Sequence, residues 1–311
     1  MFIFKRMIVS ILLLVLVLLF FVFINIISVG KTRPTIGQEM KIQAKDYEVT
    51  YYKSGLGKKV FLVPSAGRSS SDFNEMIISL NKSGYQTLAF EHVGILNHRS
   101  QINEIFIQLN LINHPHFKNK KITLFDLAND LKLVIDKETD PKEEIYLVGT
   151  SFGQRIVRAY HSIETNRKTK SVLIALGDEN KLKNKKAQKA LKNSFALHLP
   201  KFWRKKQIEY AYFANQNNVP KHWISGWYPN TALIHNTAFQ NTPREDWYRG
   251  GKSFYLIIQP TEDKISPIQQ HEDLNEIFGD QFKYFNLQNA GHAALPEDPE
   301  SIIRETLKFF N

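Results

Sequence analysis

The chain contains no cysteine among its 311 residues. This absence excludes disulfide bonds, thiolate zinc sites and a cysteine nucleophile, and it leaves the redox compartment open because a cysteine-free protein suits any of them. Charged residues are absent from Met7 to Gly30. The chain as a whole is ordinary, with 43% hydrophobic and 23% charged residues, which favours a folded protein with a sizeable core.

The uncharged N-terminal segment predicts a membrane anchor. A helix of about 22 residues rises ~33 Å, which is enough to cross the ~30 Å hydrocarbon core of a bilayer. We predict a transmembrane signal anchor over residues 1–30 and a linker over residues 31–39. Two basic residues precede the segment and two follow it, so charge specifies topology weakly. The short basic tail resembles a signal sequence and places the body outside the cytoplasm; cleavage to a secreted or periplasmic form stays open.

From residue 40 onward, strand and helix patterns alternate. An apolar run typical of a parallel strand covered on both faces occupies residues 59–64, and further strands are predicted at residues 85–90, 145–149, 171–176 and 253–258. A further strand is predicted at residues 282–287, and amphipathic helices separate several of these runs. We predict an α/β fold whose mostly parallel sheet carries helices on both faces, with a core formed by residues 40–178 and 253–311.

Residues 179–252 differ in composition from the rest. They hold 14 Lys and Arg against 4 Asp and Glu, together with all four tryptophans of the chain. We predict a basic, Trp-rich cap insertion. Its aromatic rings either pack onto the core or wall an acyl or aromatic pocket, and its lysines either are solvated or attract an anionic substrate or headgroup. No nucleic-acid reader module accompanies the charge, which argues against a nucleic-acid partner.

The strongest chemical signal is Gly149-Thr150-Ser151-Phe152-Gly153, which follows a predicted strand and opens a predicted helix. This is the context in which G-x-S-x-G lifts a serine hydroxyl above the end of a sheet. Glycines flank the serine because the turn is crowded and its central residue is strained. The pattern predicts that Ser151 is a nucleophile.

Two further residues complete a catalytic set in the order Ser151, Asp263, His292. Each of the latter two follows a predicted strand, and such loops meet at the carboxyl ends of parallel strands. A serine alcohol needs a histidine to accept its proton, and a carboxylate to orient that histidine. Asp263 is the predicted acid, with Glu262 or Asp178 as alternatives.

The reaction also needs donors for a developing oxyanion. The backbone N–H of Phe152 follows the nucleophile directly, and a second donor is expected from the loop of residues 65–68. Arg68 lies in that loop, where it is either solvated or contacts a substrate carboxylate or phosphate.

These pieces together resemble an α/β-hydrolase-fold serine hydrolase of the esterase or lipase kind, over roughly residues 40–311. The resemblance rests on the loop of residues 64–73, the Gly149–Gly153 turn, Asp263-Lys264-Ile265-Ser266-Pro267, and Gly291-His292-Ala293-Ala294. It implies a cap between the sixth and seventh strands and places the second oxyanion donor on Ala66. This chain has Pro64-Ser65 where many members have His-Gly, and Glu91-His92-Val93-Gly94 where an acidic-x-Arg-Gly pattern is usual.

We therefore expect a serine hydrolase that cleaves an ester, or else a thioester or amide, through an acyl-enzyme. A non-catalytic membrane-anchored binding protein and an acyltransferase using the same triad are the alternatives. No cofactor or metal is expected: residues 92–121 contain histidines at 92, 98, 114 and 116, but His114-Pro115-His116 has no accompanying carboxylate at ligand spacing, and the segment is interpreted as a solvated loop. The expected partners are the membrane and a small or lipid-like acyl substrate, either neutral or anionic. Substrate identity and oligomeric state are not encoded in these patterns.

Overall fold

The computed structural model describes residues 2–29, 33–45, 47–95, 121–176, 184–214, 219–267 and 274–311. Eight strands form one sheet in the order β1-β2-β4-β3-β5-β6-β7-β8. The pairs β1/β2 and β2/β4 are antiparallel and the remaining pairs are parallel. The strands are β1 (Gln38–Gln43), β2 (Glu48–Ser54), β3 (Lys58–Val63), β4 (Tyr85–Phe90), β5 (Ile145–Thr150), β6 (Thr169–Ile174), β7 (Phe254–Pro260) and β8 (Phe282–Leu287). The first strand begins inside the predicted linker.

Side chains alternate across the sheet and create two cores. In β3, Phe61 and Val63 face one core while Val60 and Leu62 face the other, and all four are fully buried. Removing a side chain of this kind from water contributes about 1.5–3 kcal/mol. The helices of the main body are α2 (Asn74–Lys82), α3 (Leu124–Glu138), α4 (Phe152–Ile163), α10 (Leu274–Phe278), α11 (Ala294–Glu297) and α12 (Pro299–Phe310), and a 3₁₀ turn spans Ser70–Phe73.

The helix starts follow local chemistry. The sequence Thr123-Leu124-Phe125-Asp126 predicts a capping arrangement at the start of α3, and there each of the two outer side chains accepts a hydrogen bond from the backbone N–H of the other. Pro299 opens α12 after Asp298, whose carboxylate accepts from the Ser301 N–H.

Helices inserted between β6 and β7 form the cap. In the described part of the chain they are α5 (Lys185–Ser194), α6 (Lys201–Tyr212), α7 (Lys221–Ile224), α8 (Pro229–Gln240) and α9 (Arg244–Trp247). Trp223, Trp227 and Trp247 are at most 5% exposed, whereas Trp203 is 53% exposed. Most of the tryptophans therefore support packing, and one faces solvent.

Helix α1 (Phe2–Val29) carries the apolar N-terminal segment. Its stretch from Phe4 to Ile24 has a mean hydropathy of 3.5, and none of it is buried. It is long and apolar enough to cross a membrane, and a signal sequence would have the same character.

The predicted α/β fold with a mostly parallel sheet is confirmed. Three details differ or remain predictions. His92 is 2% exposed rather than solvated, because it lies immediately after β4 and its ring packs against that of His235 in α8. The sequence predicts that Ile156, Tyr160 and Ile163 form the buried stripe of the helix after Ser151, but Ile163, the last residue of α4, is 37% exposed. The histidines at 98, 114 and 116 and the alternative acid Asp178 lie outside the described residues.

Candidate active site

Ser151 occupies a sharp turn between β5 and α4. Its φ of 50° and ψ of −114° lie in a region that side-chain-bearing residues rarely adopt. A Cβ at Gly149 would lie 2.7 Å from the backbone of Gln154, and one at Gly153 would lie 2.2 Å from the carbonyl oxygen of Val63. Both flanking glycines are thus sterically required, and the turn presents the serine hydroxyl above the sheet.

The loops after β7 and β8 bring two further side chains to this serine. The hydroxyl oxygen of Ser151 lies 2.7 Å from Nε2 of His292, and Nδ1 of the same ring lies 2.7 Å from Oδ2 of Asp263. With Nδ1–H donating to the carboxylate, Nε2 is left as an acceptor for the serine proton. The structure thus brings together the three residues that the sequence pattern singled out, while Glu262 is exposed to solvent.

The second oxygen of Asp263 is held by its own loop. Oδ1 accepts hydrogen bonds from the N–H groups of Ile265 and Ser266, both at 2.8 Å. Burial of the carboxyl group favours its neutral form, but the electrostatic attraction and hydrogen bond of the His292 ring, together with these two backbone donors, outweigh burial and hold the pKa of Asp263 below its ordinary value. Asp263 is therefore a carboxylate that remains ionised.

His292 is oriented by contacts on the other side as well. Glu297 accepts from the N–H groups of Gly291, at 2.6 Å, and Ala214, at 2.9 Å, and so ties the histidine loop to the end of α6. The ring of Tyr212 packs against the imidazole at a centroid distance of 5.8 Å. A Cβ at Gly291 would lie 2.5 Å from the Tyr212 carbonyl oxygen, so this approach requires glycine.

The two predicted oxyanion donors also line the site. Phe152 is the first residue of α4, where backbone N–H groups have no intrahelical partner, and Ala66 lies in the loop after β3. Within the described residues neither N–H donates to a backbone acceptor. In this part of the chain both amides therefore lie beside the serine without a backbone acceptor.

Polar contacts fix the loop that carries Ala66. Glu91, which is 1% exposed, accepts hydrogen bonds from Ser69 and from both the N–H and hydroxyl of Ser70. The Nε2 atom of His92 lies 2.9 Å from the carbonyl oxygen of Pro64. Burial lowers the pKa of His92 to about 4, so this ring is neutral and donates to the carbonyl. Glu91 and His92, which precede the Val93 that stands where the family pattern has Arg, thus fix the loop that carries Ala66.

Arg68 is placed differently from the predicted substrate contact. It is 3% exposed and forms two hydrogen bonds with Asp72, at 2.6 and 2.8 Å, and two more with the carbonyl oxygens of Ser225 and Gly226. Its guanidinium also lies 4.3 Å from the ring of Trp223 and 4.8 Å from that of Trp227. Arg68 therefore joins the loop that carries Ala66 to the cap and does not line the cavity beside Ser151.

A cavity of about 260 Å³ opens beside the serine. The cap supplies much of its wall, and apolar side chains predominate. It is lined by Ser65, Ala66, Ser151, Phe152, Arg155, Leu191, Phe195, Tyr212, Ala232, Asn236, Ile265, Ser266 and His292. A cavity of this kind fits a mostly apolar ligand with a polar reacting group. In the parts of the chain that the structure describes, no cluster of His, Asp and Glu side chains is arranged to hold a metal ion.

Sequence patterns did not identify several of these residues. Tyr212 and Phe195 reach the site from a cap whose packing has no local signature. Asp72 could have been found, because it stands four residues after Arg68 at a spacing that favours an ion pair.

Comparison with known proteins places this geometry in context. A family model described as the alpha/beta hydrolase fold matches residues 58–299. A meta-cleavage product hydrolase from Pseudomonas fluorescens is similar in structure, with a TM-score of 0.65 at 17% identity, over 88% of this chain and 97% of the other. An esterase from Exiguobacterium antarcticum gives 0.64 at 15%, over 88% and 99%.

A third structure covers more of the chain. A bacterial membrane phospholipase A, described as a virulence factor, is similar with a TM-score of 0.62 at 13% identity, and the match covers 98% of both chains. No curated protein sequence matches significantly.

Proposed function

Since the chain belongs to the alpha/beta hydrolase fold family, we propose that it is a serine hydrolase that cleaves a carboxylic ester through an acyl-enzyme. One observation carries the proposal: the hydroxyl of Ser151, the imidazole of His292 and the carboxylate of Asp263 form a continuous hydrogen-bonded chain with 2.7 Å at each link. A binding protein would have no use for a serine held in a strained conformation beside a buried histidine.

In the proposed reaction, Ser151 Oγ attacks the ester carbonyl carbon while its proton moves to Nε2 of His292. The carbonyl electron pair moves onto oxygen, and the N–H groups of Ala66 and Phe152 stabilise the resulting oxyanion. Collapse of this intermediate breaks the bond to the alcohol oxygen, which leaves with the proton from Nε2. Water then repeats the sequence on the acyl-enzyme and releases the acid, and Asp263 stabilises the positive imidazole in both halves.

We propose further that the substrate has an apolar acyl group and that α1 holds the protein at a membrane, with the body outside the cytoplasm. The apolar cavity wall and the similarity to a membrane phospholipase A, which spans the α1 region too, support this. Carbonate extraction of membranes and N-terminal sequencing of the mature chain test it. If carbonate released the protein from the membrane, or if the mature N-terminus lay near residue 30, an uncleaved anchor would be contradicted.

The catalytic proposal is tested with a fluorophosphonate probe and p-nitrophenyl esters of increasing acyl length. Ser151→Ala should abolish labelling and lower ester turnover by about 10⁴-fold or more. Ser83→Ala, which changes an exposed serine at the end of α2, is the matched control and should behave as the wild type. Labelling of the Ser151→Ala variant by the probe would contradict the proposal. Product analysis with added alcohols or amines separates hydrolysis from acyl transfer by the same triad.

A further inference from the structure

The outer surface of the cap combines exposed aromatic rings with lysines. Between residues 184 and 212 there are eight Lys and Arg and one Glu. On α6, Arg204, Ile208, Ala211 and Tyr212 are buried, which leaves Phe202, Trp203 and Lys206 on the outward side. Phe202 is 59% exposed and Trp203 is 53% exposed. Exposed rings of this size beside positive charge are typical of surfaces that contact another phase or molecule.

Helix α5 extends the same surface. Ala187, Ala190 and Ser194 face inward, so Lys185, Lys189 and Lys192, at helical spacing i, i+4 and i+7, face outward. The two helices lie side by side, with Asn193 Nδ2 3.4 Å from Gln207 Oε1 and Lys186 Nζ 4.1 Å from the centre of the Tyr210 ring. Together they form one basic surface with two aromatic side chains, here called the cap face: Phe202, Trp203, Lys185, Lys189, Lys192 and Lys206.

A second observation concerns where the N-terminal helix joins the body. Arg33 pairs with Glu75 at 2.6 and 2.8 Å, the Thr35 hydroxyl lies 2.9 Å from that of Ser70, and Asn74 bonds the backbone of both Pro34 and Ile36. These partners lie in or directly after the segment of residues 64–73 that carries Ala66. The chain that leaves α1 is therefore fixed to the active-site side of the molecule, beside the cap.

Chain length limits how far a membrane could be from this point. Four peptide units separate Val29, the last residue of α1, from Arg33, and even fully extended they span no more than ~14 Å. A bilayer that holds α1 must consequently lie close to the active-site side and to the cap beside it.

We propose that the cap face docks on an anionic phospholipid bilayer, with Phe202 and Trp203 entering the headgroup boundary and the lysines contacting lipid phosphates. The inference rests on the proposed membrane anchoring and is independent of the proposed hydrolysis. Charge selects the occupant, because a surface with this excess of lysine is complementary to anionic headgroups. The cavity walls Leu191, Phe195 and Tyr212 belong to the same helix pair or the turn between them, so docking brings the cavity beside lipid.

The tryptophan distribution gives a direct assay. Trp203 is the exposed tryptophan, and the other three are at most 5% exposed. The full chain is reconstituted in vesicles of phosphatidylcholine brominated near the headgroup end of the acyl chains, with or without phosphatidylglycerol. We expect quenching of fluorescence that is stronger with phosphatidylglycerol and is lost in Trp203→Phe. Lys189→Gln, Lys192→Gln and Lys206→Gln should each weaken the anionic preference by about fivefold.

Controls separate the cap face from the anchor. Flotation with vesicles of either composition reports insertion of α1, whereas quenching reports the cap face. Leu56→Ser removes an 81% exposed leucine just before β3, at the amino end of that strand and therefore opposite the end where Ser151 lies, and should leave quenching unchanged. The proposal is overturned if the Trp203→Phe variant shows the same quenching as the wild type. It is also overturned if Trp203 is not quenched in vesicles of either composition. If Trp203 emission shifts when the protein is concentrated in lipid-free detergent, and no quenching occurs in vesicles, the cap face instead contacts a second copy of the protein.

Discussion

Replacement of Arg68 should destabilise the protein rather than alter substrate affinity. In Arg68→Met, the carboxylate of Asp72, whose side chain is 5% exposed, loses its cation while staying buried. Leaving one member of a buried ion pair alone costs about 3–5 kcal/mol. The carbonyl oxygens of Ser225 and Gly226 lose donors as well, which places the cost at the upper end of that range. For a domain of this size we expect the melting temperature to fall by about 6–10 °C.

The design includes a double variant. Arg68→Met combined with Asp72→Leu replaces the pair with apolar groups and should recover at least half of the loss, because such replacements are often neutral. Unfolding of the full chain in detergent is followed by tryptophan fluorescence, since Trp223 and Trp227 both contact the guanidinium. Michaelis constants for neutral and anionic esters are measured in parallel. An Arg68→Met protein that melts like the wild type but shows a raised KM for anionic esters would refute the reasoning and restore the predicted substrate contact.

Two further predictions concern the serine turn and the acid. Gly153→Ala should abolish soluble expression or ester turnover, because its Cβ would lie 2.2 Å from the Val63 carbonyl oxygen. Gly84→Ala is the control: nothing lies near its Cβ, and left-handed backbone strain should lower the free energy of unfolding by only about 1–2 kcal/mol in a denaturation series. Wild-type turnover in Gly153→Ala would contradict this close packing. The folded pKa of Asp263 lies below its ordinary value of 3.8, so its ionisation contributes stability that is present above about pH 4 and lost as pH falls further. Asp263→Asn should flatten the pH dependence of the melting temperature below pH 4, and an unchanged slope would show that this carboxyl group contributes nothing there.

Local patterns were sufficient for the parts of the site that local chemistry determines. The serine turn was predictable because Gly149 and Gly153 are needed within two residues of Ser151, and the order of Asp263 and His292 follows from where parallel strands end. The predicted fold class follows from the same alternation of apolar strands and amphipathic helices.

Contacts between distant segments were not predictable. Arg68 meets carbonyl groups 157 and 158 residues further along the chain, and no local pattern encodes that meeting. The prediction that His92 is solvated was wrong. It rested on the other histidines nearby, whereas the burial of His92 depends on where β4 ends beneath the cap. Tyr212 reaches His292 only because the cap folds back over the sheet.

The backbone at Ser151 also restricts which nucleophiles could have evolved at this position. A left-handed φ of 50° is strongly unfavourable for a residue branched at Cβ. Threonine, which has the same reactive group, is therefore excluded by conformation rather than by chemistry. Cysteine has the unbranched shape of serine and would fit the turn, so the choice between oxygen and sulfur in this cysteine-free chain is not imposed by the fold.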